Sequence, residues 1–166
     1  IIIAKLIWNF FGKPLFSSYF PGTLWRKLIL RIFGAKIGKG GKIKINVKIS
    51  EPWNLSIGDH CWIGENVWID NLALVKIGNR VCISQGVYLC TGNHNYKKDL
   101  FNLILQKIVI EDDCWIAAKS IIAPGSILKK GSVSFLGSVV SGILQEDGIY
   151  KGNPAKLLKS KDDNLN

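Results

Sequence analysis

From Ile37 to Val140 an aliphatic side chain returns at every sixth position, apart from a few short slips, and this period constrains the fold more than any other feature. The anchor column reads Ile37, Ile43, Ile49, Ile57, Ile63, Ile69, Ile77, Ile83, Leu89, Ile110, Ile116, Ile122, Leu128, Ser134 and Val140, and fourteen of the fifteen are aliphatic. Four residues after each anchor comes a second, small column: Gly41, Val47, Cys61, Val67, Ala73, Val81, Val87, Cys114, Ser120, Ser126, Ser132 and Ser138, broken only by Trp53. The anchors group in threes, because Ile37 to Ile57 and Ile57 to Ile77 span twenty residues each and Ile110 to Leu128 spans eighteen. Three hexads make one turn of a triangular coil. Each hexad supplies a short parallel strand with its aliphatic residue inward, a bend at Gly, Asp or Asn, and a small residue at the narrow inner angle. The expectation is an all-β chain, a parallel β-helix of about five triangular coils over residues 36–145, with a leader at 1–35 and a tail at 146–166.

The count fails in one place. Between Leu89 and Ile110 the chain runs through Thr91-Gly92-Asn93-His94-Asn95 and on to Lys107, which predicts an excursion loop over residues 90–109. Irregular segments on a rigid scaffold are where function is usually placed. This one carries one of only two histidines.

The leader reads as two short amphipathic helices around a turn, punctuated by Pro14 and by Pro21-Gly22. Leu24, Leu28 and Ile32 recur at helical spacing with Arg26, Lys27 and Arg31 on the other side, so the apolar stripe is expected to pack over the open end of the solenoid as its cap. A peripheral membrane role is the alternative, since the opposite face is basic and Trp8 and Trp25 flank it. The formal charge of +10 belongs to this end: residues 1–48 hold ten Lys or Arg and no Asp or Glu, and the rest is balanced, twelve against twelve. Such a leader suggests an anionic surface or ligand. Nucleic acid is disfavoured because the leader aromatics cluster with aliphatics instead of alternating with charges. The chain begins with Ile and contains no Met, which fits numbering that starts inside a longer protein. Its four cysteines lack metal-type spacing and read as small thiols in a reducing cytosol. No apolar run reaches the roughly 20 residues a bilayer span needs.

Ile57-Gly58-Asp59, Ile77-Gly78-Asn79, Cys90-Thr91-Gly92-Asn93-His94, Asp113-Cys114-Trp115-Ile116-Ala117-Ala118 and Gly152-Asn153-Pro154-Ala155-Lys156 resemble stretches of the hexapeptide-repeat acyltransferases. The resemblance is to the galactoside, maltose and colanic-acid-type O-acetyltransferases, and the colanic-acid-type similarity extends to Phe33-Gly34-Ala35-Lys36-Ile37-Gly38. It implies a left-handed β-helix, although parallel crossovers are normally right-handed. It also implies a homotrimer with active sites between subunits, acetyl-CoA as co-substrate with no metal, and transfer to a hydroxyl of a sugar or polysaccharide precursor. The implied location is cytoplasmic, at the inner face of the membrane if the leader touches lipid.

By the same resemblance His94 is the general base, suited because imidazole accepts protons near neutrality. A backbone N–H at the cleft is expected to steady the oxyanion. Asp70 and Asn93 are acceptor-binding candidates, and Asp70 reads equally well as a corner residue. Trp115 falls where the family has a Trp and is expected to contact acetyl-CoA, plain surface packing being the alternative; Ala118, Leu136 and Ser141 fall where the family holds the coenzyme's arm, and Lys156 and Lys159 where it holds the nucleotide phosphates. Three departures stand out: Asn95 follows the loop histidine in place of Asp, Gly142 stands where Lys is usual, and Ser134 interrupts the anchors. A zinc carbonic anhydrase of the same fold is a weaker alternative, since its three histidines contrast with His60 and His94 alone, and His60 reads as an exposed corner residue. A non-catalytic β-helix used for binding or assembly is the remaining one.

Overall fold

The computed structural model describes residues 2–161; Ile1 and the last five residues of the tail lie outside them. The hexads wind into a parallel β-helix with three faces. The first face stacks Lys36–Ile37, Leu55–Ile57, Val75–Ile77, Ile108–Ile110, Ile127–Leu128 and Ile143–Leu144. The second stacks Lys42–Ile43, Trp62–Ile63, Cys82–Ile83, Trp115–Ile116, Val133–Ser134 and Gly148–Lys151, and is closed by the antiparallel strand Lys156–Ser160. The third stacks Lys48–Ile49, Trp68–Asp70, Tyr88–Cys90, Ile121–Ile122 and Val139–Val140. A partial sixth coil, with strands on two faces, therefore follows the five that the sequence period indicates.

Every anchor pairs with the anchor of the next coil: Ile37 with Ile57 with Ile77 with Ile110 with Leu128 on the first face, and likewise on the others. All anchors from Ile43 onward are buried, Ser134 included, whose hydroxyl donates to Ser120 Oγ at 3.4 Å. Three residues before an anchor the chain turns through the left-handed region: Gly40, Asn46, His60, Asn66, Arg80, Gly86, Asp113, Lys119, Gly125, Gly131, Gly137 and Asp147 all have positive φ. That is where Gly, Asn, Asp and His are tolerated best, and it accounts for His60 as an exposed corner residue. Arg80, an unusual occupant, forms a two-pronged ion pair with Asp113 on the same corner one coil later, at 2.6 and 2.9 Å.

The Gly-Asp and Gly-Asn pairs have a shared cause. Asp59, Asn79 and Asp112 each accept, at 2.8 Å, the backbone N–H of Lys39, Asp59 and Asn79 in the preceding coil. Their oxygens fill the space beside Gly38, Gly58 and Gly78, where a Cβ would lie 2.4, 2.6 and 2.3 Å from them. Glycine in one coil thus makes room for the carboxamide or carboxylate of the next.

The first two corners of each coil keep the six-residue count throughout. All length variation sits at the third corner, between the third face and the next first face. There Ile49 to Ile57 and Ile69 to Ile77 span eight residues, Leu89 to Ile110 spans twenty-one, Ile122 to Leu128 six, and Val140 to Leu144 four. Trp53, which breaks the small column, lies in such a long corner, where the hexad spacing is not enforced.

The leader caps the first coil differently from the sequence expectation. Helical backbone runs from Ile2 to Phe16 through Pro14, with a wide π-turn at Trp8–Gly12 ahead of the proline, and a second helix spans Leu24–Ile32. Pro14 therefore does not interrupt the first helix; the wide turn just before it accommodates the missing N–H. In each inner coil the carbonyls of the anchors and their small-column neighbours accept N–H groups from the coil before: Ile57, Cys61, Ile63, Val67 and Ile69 take Gly38, Lys42, Lys44, Lys48 and Ser50. The equivalent carbonyls of the first coil have no preceding coil. Arg31 donates to Ile37, Lys27 to Gly41 and Gly40, Thr23 to Ile43, Ser17 to Val47 and the Trp8 indole to Ile49.

To do this the second helix turns its basic side inward. Arg26 and Lys27 are only 1% and 8% exposed, while Leu24, Leu28 and Ile32 are 83%, 57% and 71% exposed. Arg26 is held by the carbonyls of Phe16, Ser18, Phe20 and Gly22. The expected packing of the Leu24-Leu28-Ile32 stripe on the solenoid is thus reversed, because the bare carbonyls need donors that leucines lack.

Two outcomes follow for denaturant unfolding. Lys27→Met should lose about 1–3 kcal/mol by leaving the Gly40 and Gly41 carbonyls without their donor, whereas Leu28→Gln beside it should stay within about 0.5 kcal/mol. Gly78→Ala should lose about 1–3 kcal/mol through overpacking against Asp112.

Candidate active site

The third corner of the third coil carries the excursion. Its base is fixed by Thr91, fully buried, whose N–H and hydroxyl both donate to Asp70 O at 3.1 and 2.8 Å, while Ala73 N–H donates to Thr91 Oγ1 at 3.0 Å. Gln106 N–H donates to Thr91 O at 2.9 Å and closes the excursion onto the helix. Between these points the chain forms a two-stranded antiparallel hairpin, Gly92–His94 with Leu103–Leu105, in which His94 faces Leu103. Threonine serves here because its hydroxyl both donates and accepts.

His94 is exposed, and its Nδ1 lies 2.6 Å from Phe101 O across the hairpin. A carbonyl only accepts, so Nδ1 must carry the proton in neutral imidazole and Nε2 keeps its lone pair. The hairpin therefore selects the tautomer a base needs. Asn93 Oδ1 accepts the His94 N–H at 2.8 Å, which engages this side-chain oxygen within the hairpin. Asn95 does not stand in for a carboxylate partner: its side-chain oxygen accepts from Lys97 N–H and its own N–H bonds Asn102 O.

Asp70 ends its strand on the third face, one coil before the excursion, half-buried. Its carboxylate accepts from Ser50 Oγ at 2.7 Å and from Tyr88 OH at 3.3 Å. Burial, together with Cys90 and the Asp70 charge, pushes the Tyr88 phenol well above its ordinary range, so it stays a hydrogen-bond donor. Asp70 is thus the centre of a small polar cluster on the third face and makes no side-chain bond to His94. The thiols of Cys61, Cys82 and Cys114 are pushed up by burial, and all four cysteines are free. Among the described residues no cluster of three His, Cys, Asp or Glu could hold a metal.

A second feature is a cleft of about 470 Å³ lined by Ser84, Gln85, Trp115, Ala117, Ala118, Phe135, Leu136 and Lys151. It brings together three of the six sequence-predicted coenzyme residues, Trp115, Ala118 and Leu136. The Trp115 indole donates to Ser84 Oγ at 3.0 Å, which fixes the ring at the cleft wall. Lys156 pairs in register with cleft-lining Lys151 on the neighbouring strand, and Lys159 lies farther along that strand opposite Ile149. Ser141 is exposed after the last third-face anchor, outside the cleft lining.

Ser84, Gln85, Ala117, Phe135 and Lys151 were not singled out from sequence, yet the register contains them. Apart from Trp115, the lining residues stand one or two places after the second-face anchors Ile83, Ile116, Ser134 and Tyr150. The cleft is thus the corner between the second and third faces, repeated over four coils. No residue of the hairpin lines it.

No protein-family model matches the chain. The putative colanic acid biosynthesis acetyltransferase WcaF of Escherichia coli K12 is 39% identical over 137 residues, covering 82% of this chain and 75% of that protein. Galactoside O-acetyltransferase from the same organism is 24% identical over 141 residues, covering 83% and 70%. Among solved structures, the hexapeptide-repeat-containing acetyltransferase VCA0836 of Vibrio cholerae, in complex with acetyl-coenzyme A, has a TM-score of 0.77 at 26% identity, covering 95% of this chain and 83% of that one. With an intact hexad register, a cleft along one corner and these relatives, the chain belongs to the hexapeptide-repeat acetyltransferases, enzymes built on a left-handed parallel β-helix.

Proposed function

We propose that this protein transfers an acetyl group from acetyl-CoA to a hydroxyl of a sugar or polysaccharide precursor, with His94 as general base. The observation that carries the proposal is the Nδ1 contact to Phe101 O, which leaves Nε2 free to take a proton. The acceptor hydroxyl loses its proton to Nε2 as its oxygen attacks the thioester carbonyl, the carbon–sulfur bond breaks, and coenzyme A leaves as the thiol once protonated. The apolar walls at Trp115, Ala118, Phe135 and Leu136 suit the pantetheine arm, and Lys151 and Lys156 suit the phosphates. Asp70 and Asn93 are assigned to the acceptor, Asp70 through the cluster it holds with Ser50 and Tyr88. Ser141 and Lys159 remain assigned to the coenzyme by family position.

His94 does not line the cleft of its own chain, which supports a homotrimer in which the hairpin of one subunit meets the cleft of the next. A cytoplasmic location accords with acetyl-CoA as donor. Neither the carbonic anhydrase alternative nor the bare scaffold gains an observation.

Three measurements test this. With acetyl-CoA and a panel of sugars, His94→Ala should lower the rate of thiol release by roughly 10²- to 10⁴-fold at unchanged melting temperature; full activity would remove His94 as the base. Ala118→Trp should raise the KM for acetyl-CoA at least about tenfold by filling the cleft, with the acceptor KM unmoved. Co-expressed His94→Ala and Ala118→Trp subunits should recover activity, about a quarter of the wild-type level for random trimers, because only mixed interfaces unite an intact hairpin with an open cleft. Absence of recovery would place the whole site within one subunit.

A further inference from the structure

The leader meets the first coil with its polar groups and leaves large apolar ones bare. Trp8, Ser17, Thr23, Lys27 and Arg31 are committed to first-coil carbonyls, and Phe16 and Leu30 fill the layer between the helices and the coil. On what remains, Phe10, Phe11, Leu24, Leu28 and Ile32 are 71%, 74%, 83%, 57% and 71% exposed. Phe10 and Phe11 belong to the first helical segment and Leu24, Leu28 and Ile32 to the second. Scattered exposed leucines need no explanation, but bulky apolar groups concentrated on one short segment mark a contact surface.

Charge selects the occupant. Residues 1–48 carry ten basic side chains and no acidic one. Two of the ten, Arg26 and Lys27, are buried, and Lys5 is paired at 2.7 Å with Glu51, the first acid in the chain. Lys36 and Lys39 of the first coil are exposed next to the capped end, while Lys42 and Lys48 lie over the Trp62 and Trp68 rings and Lys44 pairs with Glu65 at 3.6 Å. Two copies of this end brought face to face would set like charge against like charge, whereas an anionic surface supplies the opposite sign.

We propose that the leader docks onto the surface of an anionic lipid bilayer. Its exposed Phe and Leu side chains enter the headgroup region while the surrounding lysines meet lipid phosphates. An apolar anchor and a basic patch are the two signals that stable peripheral association requires. No helix of the described residues is long and apolar enough to cross a membrane, so the contact is with the bilayer face. The cleft, built from the third to sixth coils, is separated from the docked end by the first two, which leaves it open to the aqueous side.

The test is co-sedimentation of the full chain with vesicles of phosphatidylcholine alone or with about one third phosphatidylglycerol, at about 0.1 and 0.5 M salt. The expected result is a bound fraction at least about fivefold higher on the anionic vesicles, falling with salt. The triple variant Leu24→Gln, Leu28→Gln, Ile32→Gln should lower that fraction about tenfold while keeping the wild-type melting temperature and solution mass. Failure of the wild type to bind anionic vesicles, or equal binding by the folded triple variant, would overturn the proposal. So would a drop in solution mass of the variant, which would assign the face to a second copy of the chain. Light scattering and thermal melting read these outcomes independently of acetyl transfer.

Discussion

A parallel coil cannot end without exposing a row of carbonyls, and the first coil of this protein resolves that constraint with side chains. Ile37, Gly41, Ile43, Val47 and Ile49 each receive a donor from the leader at the position where an inner coil would receive a backbone N–H. Burying such carbonyls without donors would cost about 1–3 kcal/mol each, a large share of the stability of a domain this size. The orientation of the leader follows from that need. Lys27 and Arg31 carry donors on long stems and reach the first-coil carbonyls, Leu30 fills the layer beneath the helix, and Leu24, Leu28 and Ile32 turn out.

The same ladder places the cleft and the hairpin. Because each anchor stacks on the anchor of the next coil, a residue's offset from its anchor fixes which corner it occupies. Offset minus three is a left-handed bend, offset minus two a small buried residue, and offsets plus one and plus two on the second face build the cleft wall. The Gly-Asp pairs keep this stacking in step, since a glycine in one coil and an acid or amide in the next interlock. The hairpin leaves the ladder only after Thr91, a fully buried residue tied to Asp70 and Ala73, so the coil beneath positions His94 although His94 itself is exposed.

Much of this was legible in the chain. The hexads disclose the coils, the failure of the count between Leu89 and Ile110 discloses the excursion, and the resemblance singles out Trp115, Ala118 and Leu136, which the structure does gather in one cleft. The His94 tautomer was not legible, because it depends on the carbonyl of Phe101 across a hairpin whose pairing no period announces. Lys151 and Phe135 were within reach of register arithmetic but have no motif of their own. The orientation of the leader was not legible either. Helical spacing reveals that Leu24, Leu28 and Ile32 share a stripe, yet it does not say which side meets the protein, and hydrophobicity alone gives the wrong answer when the surface to be covered is made of carbonyl oxygens.

The uneven third corner has an evolutionary consequence. Eight, eight, twenty-one, six and four residues join successive coils there, while every anchor above and below keeps its partner. An insertion at either of the other corners would rotate the following anchors off their faces and cost the core its stacking. At the third corner the chain accommodates spans of four to twenty-one residues between anchors without disturbing its neighbours. Selection can therefore remodel the hairpin that carries His94 as an independent cassette while the solenoid that holds it goes unaltered.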